Sequence, residues 1–171
     1  MKKSAAQLDQ LWTSIRQTAE PHDPLNERVL GQLAEGLNCL WATYWQVDTL
    51  QMRLIPAALW QHPSVAAEPL VRDTKNMQLT LSQGTAGHVW RSQKPVCTTN
   101  LIQDMCLPRS IGARSAGLQG GIWFAVKTDR AVYGVLEFLG PAFESSPEAL
   151  TALEQFGFRL GGAVEETDDR P

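Results

Sequence analysis

The hydrophobic period of this chain switches from helical to alternating and back, and that switch limits the folds open to it. Leu8, Leu11, Trp12 and Ile15 recur at i, i+3, i+4 and i+7, one face of a helix. Pro21 and Pro24 stop that helix. Asp23 before Pro24 reads as the start of a second one, with Leu25, Val29, Leu30, Leu33 and Leu37 as its apolar stripe. The period then changes. Residues 39–47 are aromatic and β-branched and read as a strand, and 52–60 as its antiparallel return. Pro56 lacks an amide donor, so it fits an edge or a bulge. Residues 61–78 are polar and irregular, with room for a short helix.

The alternating period returns further on. Residues 78–81 read as a short strand or an extended lead-in, 84–92 as a short helix, and 95–99 as a strand. Residues 100–117 read as a long loop carrying a short helix near 110–116. Residues 120–127 and 131–139 read as a second hairpin, turning at Thr128-Asp129-Arg130. Ser146-Pro147-Glu148 opens the final helix: a capping hydroxyl, a first-turn proline and an acid at the positive end of the helix dipole. Its face carries Gly157 and Gly161 one turn apart, which suggests a close helix–helix approach. Hairpins between terminal helices make an α+β domain. The helices then pack on one sheet face, and the connecting loops cover the other.

Composition excludes several function classes. The formal charge is −3 and no Lys/Arg run occurs, so there is no electrostatic footprint for nucleic acid. No apolar stretch approaches a membrane span, and no signal-peptide core follows the first lysines. Cys39, Cys97 and Cys106 are an odd, widely spaced set, which suits a reducing cytoplasm better than a disulfide scaffold. With His22, His62 and His88 they show no zinc spacing, so no metal is expected. Six tryptophans in 171 residues point to a packed aromatic core, a lined cavity, or both.

Three motifs in order carry a family resemblance. Gly84-Thr85-Ala86-Gly87-His88-Val89-Trp90, followed by Lys94-Pro95-Val96, is the most specific. Gly117-Leu118 and the strand Val132-Tyr133-Gly134-Val135-Leu136-Glu137-Phe138 are the second. Trp41 to Asp48, with Trp60 on the next strand, is the third. Together they resemble a GAF domain over residues 25–166, similar to the GAF modules of bacterial multi-sensor histidine kinases. The resemblance implies a PAS-like α+β fold: a central antiparallel sheet of five or six strands, terminal helices on one face, and a small-molecule pocket under loops on the other. Residues 1–20 are then an N-terminal signalling or dimerisation helix, 21–166 the GAF domain, and 167–171 a disordered tail. No kinase transmitter follows, so the chain reads as a single-domain sensor or a piece of a longer protein.

Strand parity selects the pocket residues. Ile122, Phe124 and Val126 alternate with Gly121, Trp123 and Ala125; Leu136 and Phe138 alternate with Tyr133, Val135 and Glu137. The uniformly apolar set suits the helix layer. Gly121, Trp123, Ala125, Tyr133 and Glu137 then face the ligand. Trp123 stands where related sequences keep a small residue, so it either fills the pocket or stacks on a planar ligand. Glu137 needs a partner if buried: Arg109, Arg114, or a ligand donor.

Cys97 and Cys106 complete the candidate set with Arg109. They are the plausible pair for a GAF enzyme of the free-methionine-sulfoxide-reductase type, although the wider cysteine pattern of those enzymes is not matched. A bilin site would want His after the cysteine, where Leu107 stands. His88 offers haem ligation or a simple capping role. The cyclic-nucleotide signature Asn-Lys-x-Phe-Asp-Glu is absent.

The expectation is a cytoplasmic, non-enzymatic sensory domain of bacterial signal transduction, such as a two-component system. It would bind an unknown small organic ligand without a cofactor. It would form a homodimer through its terminal helices and act on a kinase or other output domain. A dimerisation module with a filled pocket is the alternative.

Overall fold

The computed structural model describes residues 5–101 and 109–168. Eleven elements follow in order: α1 (Ala5–Thr18), α2 (Glu27–Gly36), β1 (Trp41–Asp48), β2 (Arg53–Gln61), α3 (Glu68–Lys75), α4 (Gly84–Ser92), β3 (Val96–Thr98), α5 (Ser110–Ser115), β4 (Gly120–Lys127), β5 (Val132–Gly140) and α6 (Pro147–Asp168). The five strands form one sheet in the order β2-β1-β5-β4-β3, with every neighbouring pair antiparallel.

The sheet separates two cores. On one face α1, α2 and α6 pack Leu8, Ile15, Leu30, Leu33, Phe156 and Leu160 against Ile122, Phe124, Leu136 and Phe138. On the other face α3, α4 and α5 cover Trp41, Trp45, Trp123, Val135 and Leu139. All eight residues of β4 are buried, since it is an inner strand with a core packed on each face.

Local chemistry explains the boundaries. Asn26, not Asp23, caps α2: its side chain accepts from Val29 N–H at 3.1 Å. Asp48 closes the first hairpin by accepting from Leu50 and Gln51 N–H. Pro56 sits on an edge strand and beside a bulge, where Tyr44 pairs Ala58 and Trp45 pairs Pro56. Residues 78–81 do not form a strand; a single bridge joins Leu79 to Leu54. Ser146 caps α6, its hydroxyl accepting from Ala149 N–H at 3.2 Å.

One expectation changes. Gly157 and Gly161 do not meet another helix. A Cβ on Gly157 would strike the Ala125 carbonyl, and one on Gly161 the Lys127 carbonyl, so they let α6 lie directly on the β4 backbone. Separately from that, α1 packs within the chain: Leu8 and Ile15 are buried, Trp12 meets Phe156 edge-on at 6.3 Å, and Asp9 pairs with Arg159 of α6. Among the described residues, no helix is long and apolar enough to cross a membrane.

Candidate functional site

Backbone register brings the central residues together. Thr43 on β1, Glu137 on β5 and Trp123 on β4 are direct cross-strand neighbours, so they form one row across the middle of the sheet. Glu137 is fully buried. A carboxylate in that position needs compensation, and Arg109, at the entrance to α5, supplies it. Arg109 Nη2 donates to Glu137 Oε2 at 2.5 Å and Oε1 at 2.7 Å. Their side chains are 1% and 0% exposed.

Two more groups complete the network. Trp123 Nε1 donates to Glu137 Oε2 at 2.9 Å. Arg109 Nη1 donates to Thr74 Oγ1 of α3 at 2.8 Å. The guanidinium also lies 5.1 Å from the centre of the Trp45 ring, a cation–π contact. So α3, the entrance to α5, β1, β4 and β5 all meet at one charged cluster inside the loop-side core. Two of its donors, Trp45 Nε1 and Arg109 Nε, are buried without a hydrogen-bond partner among the described residues.

The parity reading is right for most of the hairpin and fails at its end. Gly121, Trp123 and Glu137 share the loop side. The Trp123 ring lies over Gly121, where any Cβ would collide with it. Ala125 is buried in the same layer. Tyr133 is the exception. Val126 pairs Gly134 while Lys127 pairs Val132, so Tyr133 is the extra residue of a bulge. The bulge turns Tyr133 to the helix side, where its hydroxyl donates to Glu165 of α6 at 2.9 Å.

Cys97 also lies away from the cluster. It pairs with Ile122 of the helix-side core, and its Sγ contacts the Phe143 carbonyl at 3.9 Å. Burial pushes its thiol above the ordinary value, with a Ser145 hydrogen bond partly opposing the shift. That disfavours the reactive thiolate. Cys106 falls outside the described residues.

Trp45 and Thr74 were not among the sequence candidates. The alternation Trp41, Thr43, Trp45 could have exposed Trp45 as a loop-side residue. Thr74 lies in a segment without clear period. The surface also carries a hollow of about 430 Å³ lined by Thr99, Asn100, Arg114, Gly117, Leu118 and Gln119, at the sheet end and apart from the cluster.

The fold is that of GAF domains. No family model matches the sequence, and no curated protein matches it. Among solved structures, the chain is similar to the GAF domain of an Acinetobacter phosphoenolpyruvate-protein phosphotransferase: 19% identity, 95% of this chain, 93% of that one, TM-score 0.69. It is similar to the corresponding Coxiella burnetii domain at 13% identity, covering 97% of each chain, TM-score 0.67. It is equally similar to the free methionine-R-sulfoxide reductase of Neisseria meningitidis in complex with its substrate: 18% identity, 98% of this chain, 94% of that one, TM-score 0.69. That last likeness corrects one expectation. The sequence leads to the expectation that this chain is not an enzyme, yet the same fold carries a reductase, so the architecture gives no ground for denying catalysis.

Proposed function

We propose that this chain is a regulatory domain that binds a small organic molecule at the Arg109–Glu137–Trp123 cluster. The carrying observation is the cluster itself, a fully buried ion pair in which Arg109 Nε, and Trp45 Nε1 beside it, have no hydrogen-bond partner among the described residues. A buried pair of this kind adds little stability over a well-packed apolar core. Stability alone therefore does not account for it. A ligand that engages these groups is the reading this supports.

The route outward follows the packing. Trp123 and Glu137 sit on β4 and β5, and α6 rests through Gly157 and Gly161 on the carbonyls of Ala125 and Lys127. A shift of β4 moves α6 with it. In this reading α6 carries the signal to an output domain or a second copy, as α1 lies against it.

Thermal unfolding against a broad metabolite panel tests the proposal. At least one compound should raise Tm, with the gain lost in Glu137→Gln. No stabilising compound would count against it and favour a packing module with a filled pocket. A second reading, free-methionine-sulfoxide reduction, draws on the Neisseria likeness. Assay of that substrate with dithiothreitol, in wild type and in Cys97→Ser and Cys106→Ser, separates it. The helix-side position of Cys97 leaves it no path to the cluster through the described residues.

A further inference from the structure

We infer that the cluster takes a neutral molecule bearing a strong acceptor oxygen, of the amide, lactam or urea kind, rather than a carboxylate or an amine. This rests on the cluster being the ligand site. The inference follows from counting what the cluster still lacks.

Arg109 spends Nη1 on Thr74 and Nη2 on both oxygens of Glu137. Its Nε–H remains. Trp123 spends its indole N–H on Glu137. The Trp45 indole N–H likewise has no partner among the described residues, on a ring held against the same guanidinium. Both leftover groups are donors. Neither an Arg Nε nor an indole nitrogen can act as an acceptor. The unmet demand is therefore for acceptor oxygen, and a donor-only ligand such as an ammonium has nothing to satisfy. Glu137 is already engaged at both oxygens, so an amine would first have to displace Arg109.

Charge then decides between acceptors. The guanidinium and the carboxylate cancel, and Trp41, Trp45, Trp123 and Glu137 are all fully buried around them. A carboxylate here would bring one uncompensated negative charge into a fully buried site, the costliest kind of burial. A carbonyl oxygen supplies the same lone pairs without net charge. The surrounding indoles favour a compact or planar apolar body behind that oxygen.

Three probes of one ring size discriminate these classes on the full chain: N-methylpyrrolidone, cyclopentanecarboxylate and pyrrolidinium. The readout is the indole N–H resonance of Trp45 in ¹⁵N-tryptophan-labelled protein, assigned with Trp45→Phe. N-methylpyrrolidone should move that resonance saturably. The other two should bind at least about tenfold more weakly, the equivalent of one lost hydrogen bond. Arg109→Lys, which keeps the charge but loses the Nε–H, should weaken N-methylpyrrolidone by about the same factor. If the carboxylate or the amine binds best at Trp45, the ligand site stands and the class is wrong. If no probe moves Trp45 while its indole N–H shows a cross-peak to bound water, the donors hold a buried water only. The site reading and this inference then both fall.

Discussion

Glu137 carries the heaviest constraint of any single residue, because its charge is buried and paired. Glu137→Ala leaves Arg109 uncompensated and should cost about 3–5 kcal/mol in urea unfolding. Replacing both residues with leucine should cost far less than either single change, since the desolvation of two ions disappears with them. Trp123 and Trp45 offer a controlled comparison. Each loses the same volume on mutation to Phe, but Trp123→Phe also removes a donor to a carboxylate. It should be the more destabilising by about 1.5–3 kcal/mol. Equal costs would mean that the Trp123–Glu137 bond contributes nothing. Cys97 behaves oppositely to a catalytic thiol: burial raises its titration above the ordinary range. Its neutral form is thus favoured in the fold. Any stability tied to it is intact below the ordinary thiol value and declines as pH rises beyond it. Alkylation by iodoacetamide near pH 8 should be slow at Cys97 in the folded protein and fast after unfolding.

The elements show what sequence pattern does and does not reveal. Hairpin alternation was legible because residues face one way or the other every second position. It identified Trp123, Glu137 and Gly121 as one face, and the need of a buried carboxylate for a partner offered Arg109 or Arg114. It failed at Tyr133, because a bulge inserts one residue and inverts parity beyond it. The helical glycines were legible as a close approach, but glycine does not say what approaches. In α6 the answer is the β4 backbone. Gly157→Ala or Gly161→Ala should therefore destabilise by about 1–3 kcal/mol despite better helix propensity, because the helix must lift from the sheet. Calorimetric Tm measures this, and a rise would contradict the packing. Thr74 escaped the sequence reading because it binds through α3, a short helix within a polar stretch. Its role depends on a contact 35 residues away along the chain. Ser146 was legible as a cap, since the hydroxyl answers an amide three residues on.

At the scale of the molecule, the sheet works as a plate between two unlike layers. The helix side is an apolar core sealed by α1, which lies on α6 and α2. The loop side is a tryptophan-rich core with an ion pair at its centre. The tryptophans thus divide by face: Trp12 and Trp60 pack against the helix-side core, and Trp41, Trp45, Trp90 and Trp123 lie in the loop-side one. Trp123 is fully buried over Gly121, and its indole N–H donates to Glu137. The central claim is that this closed cluster opens to a small molecule. Tryptophan indole N–H spectra of the intact chain, recorded across a metabolite panel alongside thermal unfolding, test it most directly. The account predicts a compound that raises Tm and moves the Trp45 and Trp123 resonances together. Stabilising compounds that move neither resonance, or no stabilising compound at all, would contradict it.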